Sequence, residues 1–139
     1  MKAMKQLTIV AIIILASFFK LNASDTLNER AQKAVANIVI GIKSENDGLK
    51  RSAIYFAGKY QLKETSDALV DQFSVEKDPS TKILIAHSIF RIHNDSAMEK
   101  IYEMSVKDIN PKVRRLTAAI YETYKLDNYN FEDFMAVNE

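Results

Sequence analysis

Two pairs of carboxylates are the groups in this 139-residue chain whose spacing best suits joint action. Asp67 and Asp71 lie four residues apart, and Glu99 and Glu103 form a second pair with the same spacing further along the chain. On a helix, side chains four residues apart share a face, where like charges repel by roughly a few tenths of a kcal/mol. The unfavourable pair nevertheless recurs. Two interpretations follow: a solvated face, or an acidic inner surface that binds a basic segment of a partner protein.

Patterns that would support catalysis or metal binding are absent from the sequence. His87 and His93 are the only histidines, and they lie six residues apart. On a helix this spacing turns them about 240° from each other, so they do not form a ligand pair of the i, i+4 kind. The chain has no cysteine, Gly-rich phosphate loop, His-Glu-x-x-His element or Gly-x-Ser-x-Gly elbow. We therefore predict a protein that is not an enzyme and has no catalytic residues, metal or cofactor.

The elements that position the carboxylates recur at a fixed period. The stretch from Gly48 to Tyr60 is the clearest copy; one period takes Leu49 to Thr81, a second takes Thr81 to Val113, and the same step relates the two carboxylate pairs. The period is about 32 residues, and periods of about 20 to 50 are typical of a solenoid, in which each unit buries its apolar face by stacking on its neighbours. The sequence therefore predicts an all-α solenoid of about three helix pairs.

The first helix of each pair is predicted to begin at a cap. Asp78-Pro79 and Asn110-Pro111 occupy equivalent positions, and Asn46-Asp47-Gly48 stands in the same place one unit earlier. Asp or Asn accepts hydrogen bonds from first-turn amides, and Pro is tolerated at the first helical position. We assign the positions i, i+4, i+7 and i+11 to a mostly apolar core face: Leu49, Ala53, Phe56 and Tyr60; Thr81, Ile85, Ser88 and Ile92; Val113, Thr117, Ile120 and Tyr124.

The remaining helices follow from shorter signals. Compact residues at Ile54, Ala86 and Ala118 are expected to let the first helices approach closely. A capping box at Thr26 to Glu29 predicts a helix to about Ile42, which closes the amino-terminal end of the stack as an incomplete repeat. Polar linkers at 63–65 and 94–95 lead into the second helices, which we predict at about 66–73, 96–105 and 130–137.

The amino terminus has the pattern of a secretory signal peptide. Lys2 and Lys5 precede a largely apolar run that extends from Leu7 to Phe19. This run is shorter than the roughly 20 apolar residues that a bilayer-spanning helix needs. The run has the length of the hydrophobic region of a signal peptide, which is about 7 to 15 apolar residues. A signal peptide also has a small residue at the cleavage point, here Ala23. We predict a signal peptide at residues 1–23 and an exported protein, periplasmic or secreted; an uncleaved membrane anchor is the alternative.

Composition narrows the class of partner. Removal of the predicted signal peptide takes away three lysines and no acid, so the net charge of +1 becomes −2. A near-neutral chain gives no case for nucleic acid or a membrane surface as partner. Residues 24–139 suit one domain without disulfides. We divide it into a capping helix at 24–43 and repeats at 44–75, 76–107 and 108–139.

Particular residues within the repeat point to a known family. A Pro cap followed by Val113-Arg114-Arg115 and an Ala-containing helix, together with Leu49 to Ala53 and Gly58-Lys59-Tyr60, resembles the short HEAT-like repeats that also occur in phycobilin lyases. The chain is similar as well to small exported HEAT-repeat proteins of bacteria. The resemblance covers residues 44–125 and implies an α-solenoid used mostly as a protein-binding scaffold. It implies no catalytic residue.

These patterns and the resemblance together predict an exported HEAT-like scaffold. We expect it to bind another protein through the concave face of its second helices, at Asp67, Asp71, Glu99 and Glu103. One alternative is an assembly element that forms homo-oligomers through the apolar carboxy-terminal helix, at Phe131, Phe134 and Met135. Another is an enzyme or chromophore-handling protein that uses the acidic inner face.

Overall fold

The computed structural model describes residues 28–136, and side chains within that range as far as residue 128. No strand occurs in this part of the chain, and the prediction of an all-α fold is confirmed. The predicted signal peptide and the Thr26 cap lie outside the described residues. The helices are α1 at residues 28–42, α2 at Asp47–Lys59, a 3-10 helix at Lys63–Thr65, α3 at Ser66–Val75, α4 at Pro79–Ile92, α5 at Asp95–Val106 and α6 at Pro111–Ala136.

The predicted caps at Asn46, Asp78 and Asn110 start helices, and Asn94, which was predicted as part of a linker, caps α5 in the same way. Each capping side chain has an oxygen that accepts a hydrogen bond from a first-turn backbone N–H, and Pro79 and Pro111 are the first residues of their helices. These bonds satisfy amides that would otherwise lack a partner. The acceptor and donor residues are Asn46 and Leu49 at 3.0 Å, Asp78 and Thr81 at 2.8 Å, Asn94 and Ala97 at 3.0 Å, and Asn110 and Lys112 at 2.9 Å.

The chain divides into two compact units, and the boundary between them lies within α1. Residues 28–36 belong to the first unit, in which their side chains are exposed except for half-buried Val35. The second unit begins at Asn37. Within it α2 packs on α4 and α4 on α6, while α3 and α5 pack side by side and both contact α4. The largest fully buried side chains of this core include Ile54, Leu69, Phe73, Ile85, Ile89, Met98, Ile101 and Val113.

The helices α2 and α4 approach each other closely at Gly58. A Cβ atom placed on Gly58 would lie 2.8 Å from the Cα of Ser88, so only glycine fits there. At the same seam the Ser88 hydroxyl donates a buried hydrogen bond of 2.9 Å to the backbone oxygen of Ile54. The sequence placed close approach at Ile54, Ala86 and Ala118; the first two are fully buried and Ala118 is half-buried.

The prediction of a buried apolar face holds for α4 but not for α2. In α4 all four assigned residues are buried, and Tyr124 of α6 is buried too. Of the four residues assigned to this face in α2, only Ala53 is buried, whereas Leu49, Phe56 and Tyr60 are 54, 39 and 61 % exposed. Core packing of Phe56 and Tyr60 was therefore a wrong prediction. Periodicity identifies the apolar side of a helix but does not show whether a neighbouring helix covers it.

The third repeat differs from the predicted helix pair, because α6 continues from Pro111 to Ala136 without a break. The helices α2 and α4 are followed by residues with positive φ at equivalent positions, Gln61 at 51° and His93 at 54°. The next equivalent residue is Lys125, which lies inside α6. The Tyr124 hydroxyl and the Asn128 amide both donate to Asp95, so consecutive turns of α6 are fixed to the start of α5 across the predicted break.

Candidate partner-binding surface

The helices α3 and α5 bring the four predicted carboxylates onto a shared side of the second unit. They pack side by side, and each buries one apolar stripe, at Leu69 and Phe73 in α3 and at Ala97 and Ile101 in α5. The side chains of Asp67, Asp71, Glu99 and Glu103 are all exposed. Because these residues fall between the buried positions of a 3.6-residue period, they point away from the core. We call these four residues the acidic surface.

Two of the four carboxylates have a cation beside them. The Lys43 ammonium lies 3.4 Å from Oδ2 of Asp71, and the Lys125 ammonium lies 3.9 Å from Oε1 of Glu99. All four of these side chains are more than half exposed, and such pairs contribute only about 0–1 kcal/mol. Another cation can therefore displace Lys43 and Lys125 at little cost in free energy. Asp67 and Glu103 have no ion pair among the described residues.

A second set of charged side chains joins each first helix to the linker that begins the next repeat. Lys50 of α2 binds Glu76 at 3.1 Å, and Lys82 of α4 binds Asp108. One period of the repeat takes Lys50 to Lys82 and Glu76 to Asp108, so the two ion pairs are repeat equivalents. We call them the linker ion pairs. The sequence prediction did not include these pairs, although the period that relates Lys50 to Lys82 and Glu76 to Asp108 would have identified them.

Hydrogen bonding keeps the linker carboxylates ionised. Burial would raise the pKa of Glu76, but N–H donors from the Asp78 backbone and the Gln72 amide, together with the Lys50 ammonium, lower it below its ordinary value. Burial likewise opposes ionisation of Asp108, and its hydrogen bond with Lys82 helps to lower the pKa overall. The bond to Glu76 raises the pKa of Lys50 despite partial burial. Both pairs are therefore charged at neutral pH.

An apolar cleft of about 350 Å³ lies between α4 and α6. His87 is exposed and lines this cleft, and its ring centroid lies 6.2 Å from that of Phe90. The ring centroid of His93 lies 6.1 Å from that of Phe90. The described residues contain no group of three or more His, Cys, Asp or Glu placed to hold a metal ion. The cleft is lined by Ile83, His87, Phe90, Leu116, Ala119, Ile120 and Thr123.

Comparisons with known proteins identify no relative of this chain. No family model matches it, and no curated protein or solved structure matches it either. Among the described helices, none combines the length and the apolar character that crossing a bilayer requires.

Proposed function

We propose that this chain is an exported HEAT-like α-solenoid that acts as a scaffold and binds a basic segment of another protein at the acidic surface. The repeat is supported by three features that recur with the period of the sequence: the helix caps at Asn46, Asp78 and Asn110, the linker ion pairs, and the positive-φ residues Gln61 and His93. Recurrence in contacts as well as in sequence is what stacked equivalent units produce.

One observation carries the choice of surface: four exposed carboxylates stand in repeat register on two adjacent helices, α3 and α5. Register matters because a partner with regularly spaced Lys or Arg side chains can meet both pairs at once. Lys100 of α5 is also exposed, so this side of the helices is not uniformly acidic. The attraction for a basic segment therefore depends on the positions of the four carboxylates. Charge complementarity of this kind mainly increases association rates and selects partners.

Charge reversal tests this function. We expect a variant with all four carboxylates changed to Lys to fold normally, because exposed substitutions away from caps and cores usually change stability by less than about 0.5 kcal/mol. The same variant should lose binding to a Lys- and Arg-rich peptide and to the proteins that the unmodified chain retains. A matched control makes the same change of charge at exposed acids outside α3 and α5: Glu29, Glu64, Glu122 and Asp127.

Salt provides the second readout. Exposed charges are screened over roughly 8 Å at physiological ionic strength, so the wild-type complex should weaken steadily as salt rises. The control variant should bind with the same salt dependence as the wild type. Retention of the same partners by the reversed variant would contradict the proposal, as would binding that is insensitive to salt. Either result would leave the acidic surface as a solvated face.

A further inference from the structure

The loop between α5 and α6 carries the most exposed large apolar side chain among the described residues. Ile109 in this loop is 96 % exposed, and Val106 at the end of α5 is 52 % exposed. A single exposed apolar residue is common on protein surfaces and assigns no role by itself. The backbone and the charges around Ile109 supply further evidence. We call residues 106–115, which include the first turn of α6, the cationic loop.

Hydrogen bonds hold the backbone of the cationic loop on both sides of Ile109. The Arg114 guanidinium donates to the backbone oxygens of Asp108 and Ile109, at 2.6 and 3.2 Å. The Asn110 N–H donates to the Asp108 carboxylate at 2.8 Å, and the same carboxylate binds Lys82 of α4. A loop fixed in this way cannot fold the Ile109 side chain back onto the core, so the isoleucine is held in contact with solvent.

Cations flank this isoleucine on both sides. Lys107, Lys112 and Arg115 are exposed, and they form no ion pair within the described part of the chain. Asp108 is the only acid between positions 106 and 115, and its side chain is 6 % exposed in its ion pair with α4. The cationic loop therefore presents an aliphatic side chain surrounded by positive charge.

Charges on neighbouring elements do not cancel those of the cationic loop. Lys77 of the linker between α3 and α4 lines a cleft of about 320 Å³ together with Ile109. The two acids of that linker, Glu76 and Asp78, are each paired with a cation of α2. Glu103 of the acidic surface is an exposed acid one turn before the loop in α5. The charged side chains around the linker between α1 and α2 comprise three cations and three acids, and are neutral as a group: Lys43, Lys50, Arg51, Glu45, Asp47 and Asp71.

An aliphatic side chain held among cations suits an anionic lipid surface. The apolar group enters the boundary between headgroups and acyl chains, while Lys and Arg meet the phosphates. An acidic peptide could pair with the cations, but it would place charged groups around Ile109. Single-stranded nucleic acid is bound through aromatic side chains that stack on the bases, and residues 106–115 contain none. The net charge of the chain gave no case for a membrane surface, but the structure separates the cations of this loop from the carboxylates on α3 and α5.

We propose that the cationic loop docks on an anionic lipid surface, with Ile109 inserted below the headgroups and Lys107, Lys112 and Arg115 at the level of the phosphates. The same bilayer repels the carboxylates of the acidic surface, which favours orientations that leave this surface facing solvent. Because one inserted aliphatic side chain and a few cations make the contact, it is reversible and salt-dependent. This inference does not rest on the proposed function, since none of the four carboxylates takes part.

A fluorophore at position 109 tests the contact, because the chain has no cysteine of its own. Full-length Ile109→Cys is labelled with the environment-sensitive dye NBD and mixed with vesicles of phosphatidylglycerol and phosphatidylcholine. We expect blue-shifted emission and quenching by nitroxide-labelled acyl chains. Vesicles of phosphatidylcholine alone should give neither. Because the dye reports only its own surroundings, binding through the apolar run from Leu7 to Phe19 does not produce this response.

Glu64→Cys, labelled in the same way, is the matched control for position. Glu64 is also exposed, but it lies in the 3-10 helix between α2 and α3, at the opposite end of α2 from the linkers between repeats. Its emission should not change with either type of vesicle.

Charge reversal tests the role of the cations. Each Lys or Arg at an anionic surface raises the partition coefficient roughly fivefold, so Lys107→Glu, Lys112→Glu and Arg115→Glu together should abolish the response at position 109. The matched control reverses three exposed lysines outside the loop, Lys59, Lys63 and Lys100, and should keep the response. Added salt should weaken the response of the unreversed chain.

Four outcomes would overturn the proposal in chains that keep the wild-type helical signal. The first is unchanged emission from position 109 with the anionic vesicles, and the second is an equal response with neutral vesicles. The third is an equal response from position 64. The fourth is a response to poly-glutamate that vesicles do not produce, which would identify an acidic protein segment as the partner. Should Ile109→Cys fail to fold, Val106→Cys places the dye at the other exposed apolar residue of the loop.

Discussion

The ammonium of Lys50 lies 3.1 Å from Oε2 of Glu76, and both side chains are largely removed from solvent, with 13 and 7 % exposed. The pair joins α2 to the linker between α3 and α4, so it fixes the first helix of a repeat to the start of the next. Lys82 and Asp108 repeat the connection one unit later. We regard these pairs as the contacts that set the register between successive repeats.

Removing one member of a linker ion pair should destabilise the fold. Glu76→Gln leaves the Lys50 ammonium with only the exposed Asp47 carboxylate, at 3.4 Å, as its anion. Hydrogen bonds to charged groups contribute about 1.5–3 kcal/mol. We expect the free energy of unfolding, measured by urea denaturation, to fall by about that amount. Glu64→Gln is the matched control at an exposed position and should leave the urea midpoint unchanged. Equal midpoints for both variants would show that the Glu76 pair has no role in stability.

Acid should weaken the protein through the same groups. The pKa of Glu76 lies below its ordinary value of 4.5, and the pKa of Asp108 lies below 3.8. A carboxyl group with a lowered folded-state pKa contributes stability above its unfolded pKa, and this contribution is lost as the pH falls through the lowered value. The melting temperature should therefore fall on acidification below about pH 4.5. Glu76→Gln combined with Asp108→Asn should reduce this fall; an unchanged pH profile would contradict the prediction.

The close contact between Gly58 and Ser88 predicts that adding a single methyl group at position 58 lowers the stability of the fold. In Gly58→Ala the new Cβ would lie 2.8 Å from the Cα of Ser88, which is backbone and cannot turn aside. Such overpacking costs typically about 1–3 kcal/mol. Gly48→Ala is the control, because its Cβ would meet only the side chain of Asn46. Thermal unfolding should show a lower melting temperature for the first variant alone.

Two buried threonines should respond oppositely to loss of the hydroxyl group. Thr117 is fully buried in α6, and its Oγ1 has no hydrogen-bond partner in the described part of the chain. Thr117→Val should therefore increase the free energy of unfolding by about 1 kcal/mol, since it removes a desolvated polar group. Thr65 is equally buried, but its Oγ1 donates to the Leu62 carbonyl at 2.7 Å. Thr65→Val should decrease stability by a similar amount in the same denaturation assay.

The sequence predicted the helices best where a local rule determines the structure. Caps at Asn46, Asp78 and Asn110 are encoded by the residue itself, because a short polar side chain satisfies amides within one turn. The exposure of Phe56 and the continuity of α6 depend on contacts beyond the local sequence. The first depends on whether a neighbouring helix is present. The second depends on Lys125 taking a helical conformation where Gln61 and His93 take positive φ.

The acidic surface likewise has features that the local sequence predicts and features that depend on contacts distant in sequence. The spacing of Asp67, Asp71, Glu99 and Glu103 predicted a shared side, and all four residues are exposed. The cations beside Asp71 and Glu99 were not predicted, because Lys43 and Lys125 come from other elements that are distant in sequence. Contacts at that separation follow from the packing of the helices, which periodicity alone does not define.

Deleting one repeat provides the strongest test of the stacked arrangement. Removal of residues 76–107 joins Val75 to Asp108, which takes the place of Glu76 beside Lys50, and it moves Asn110 to the position of Asp78. In a stack of equivalent units, stability is approximately a sum over units and their interfaces. The shortened chain should therefore stay helical and unfold cooperatively, with a lower urea midpoint and a smaller m-value.

The deletion experiment needs one compensating substitution and one control. Ile120 would take the place of Ser88 against Gly58, where space is limited, so the shortened chain should carry Ile120→Ser. The matched control removes residues 76–103, which is four residues short of the period and leaves neither the cap nor the linker ion pair in register. We expect circular dichroism to show a cooperative helical fold for the full-period deletion and a large loss of helix for the shorter control deletion. Equal behaviour of the two shortened chains would mean that the units are not interchangeable, and the solenoid proposal would then be wrong.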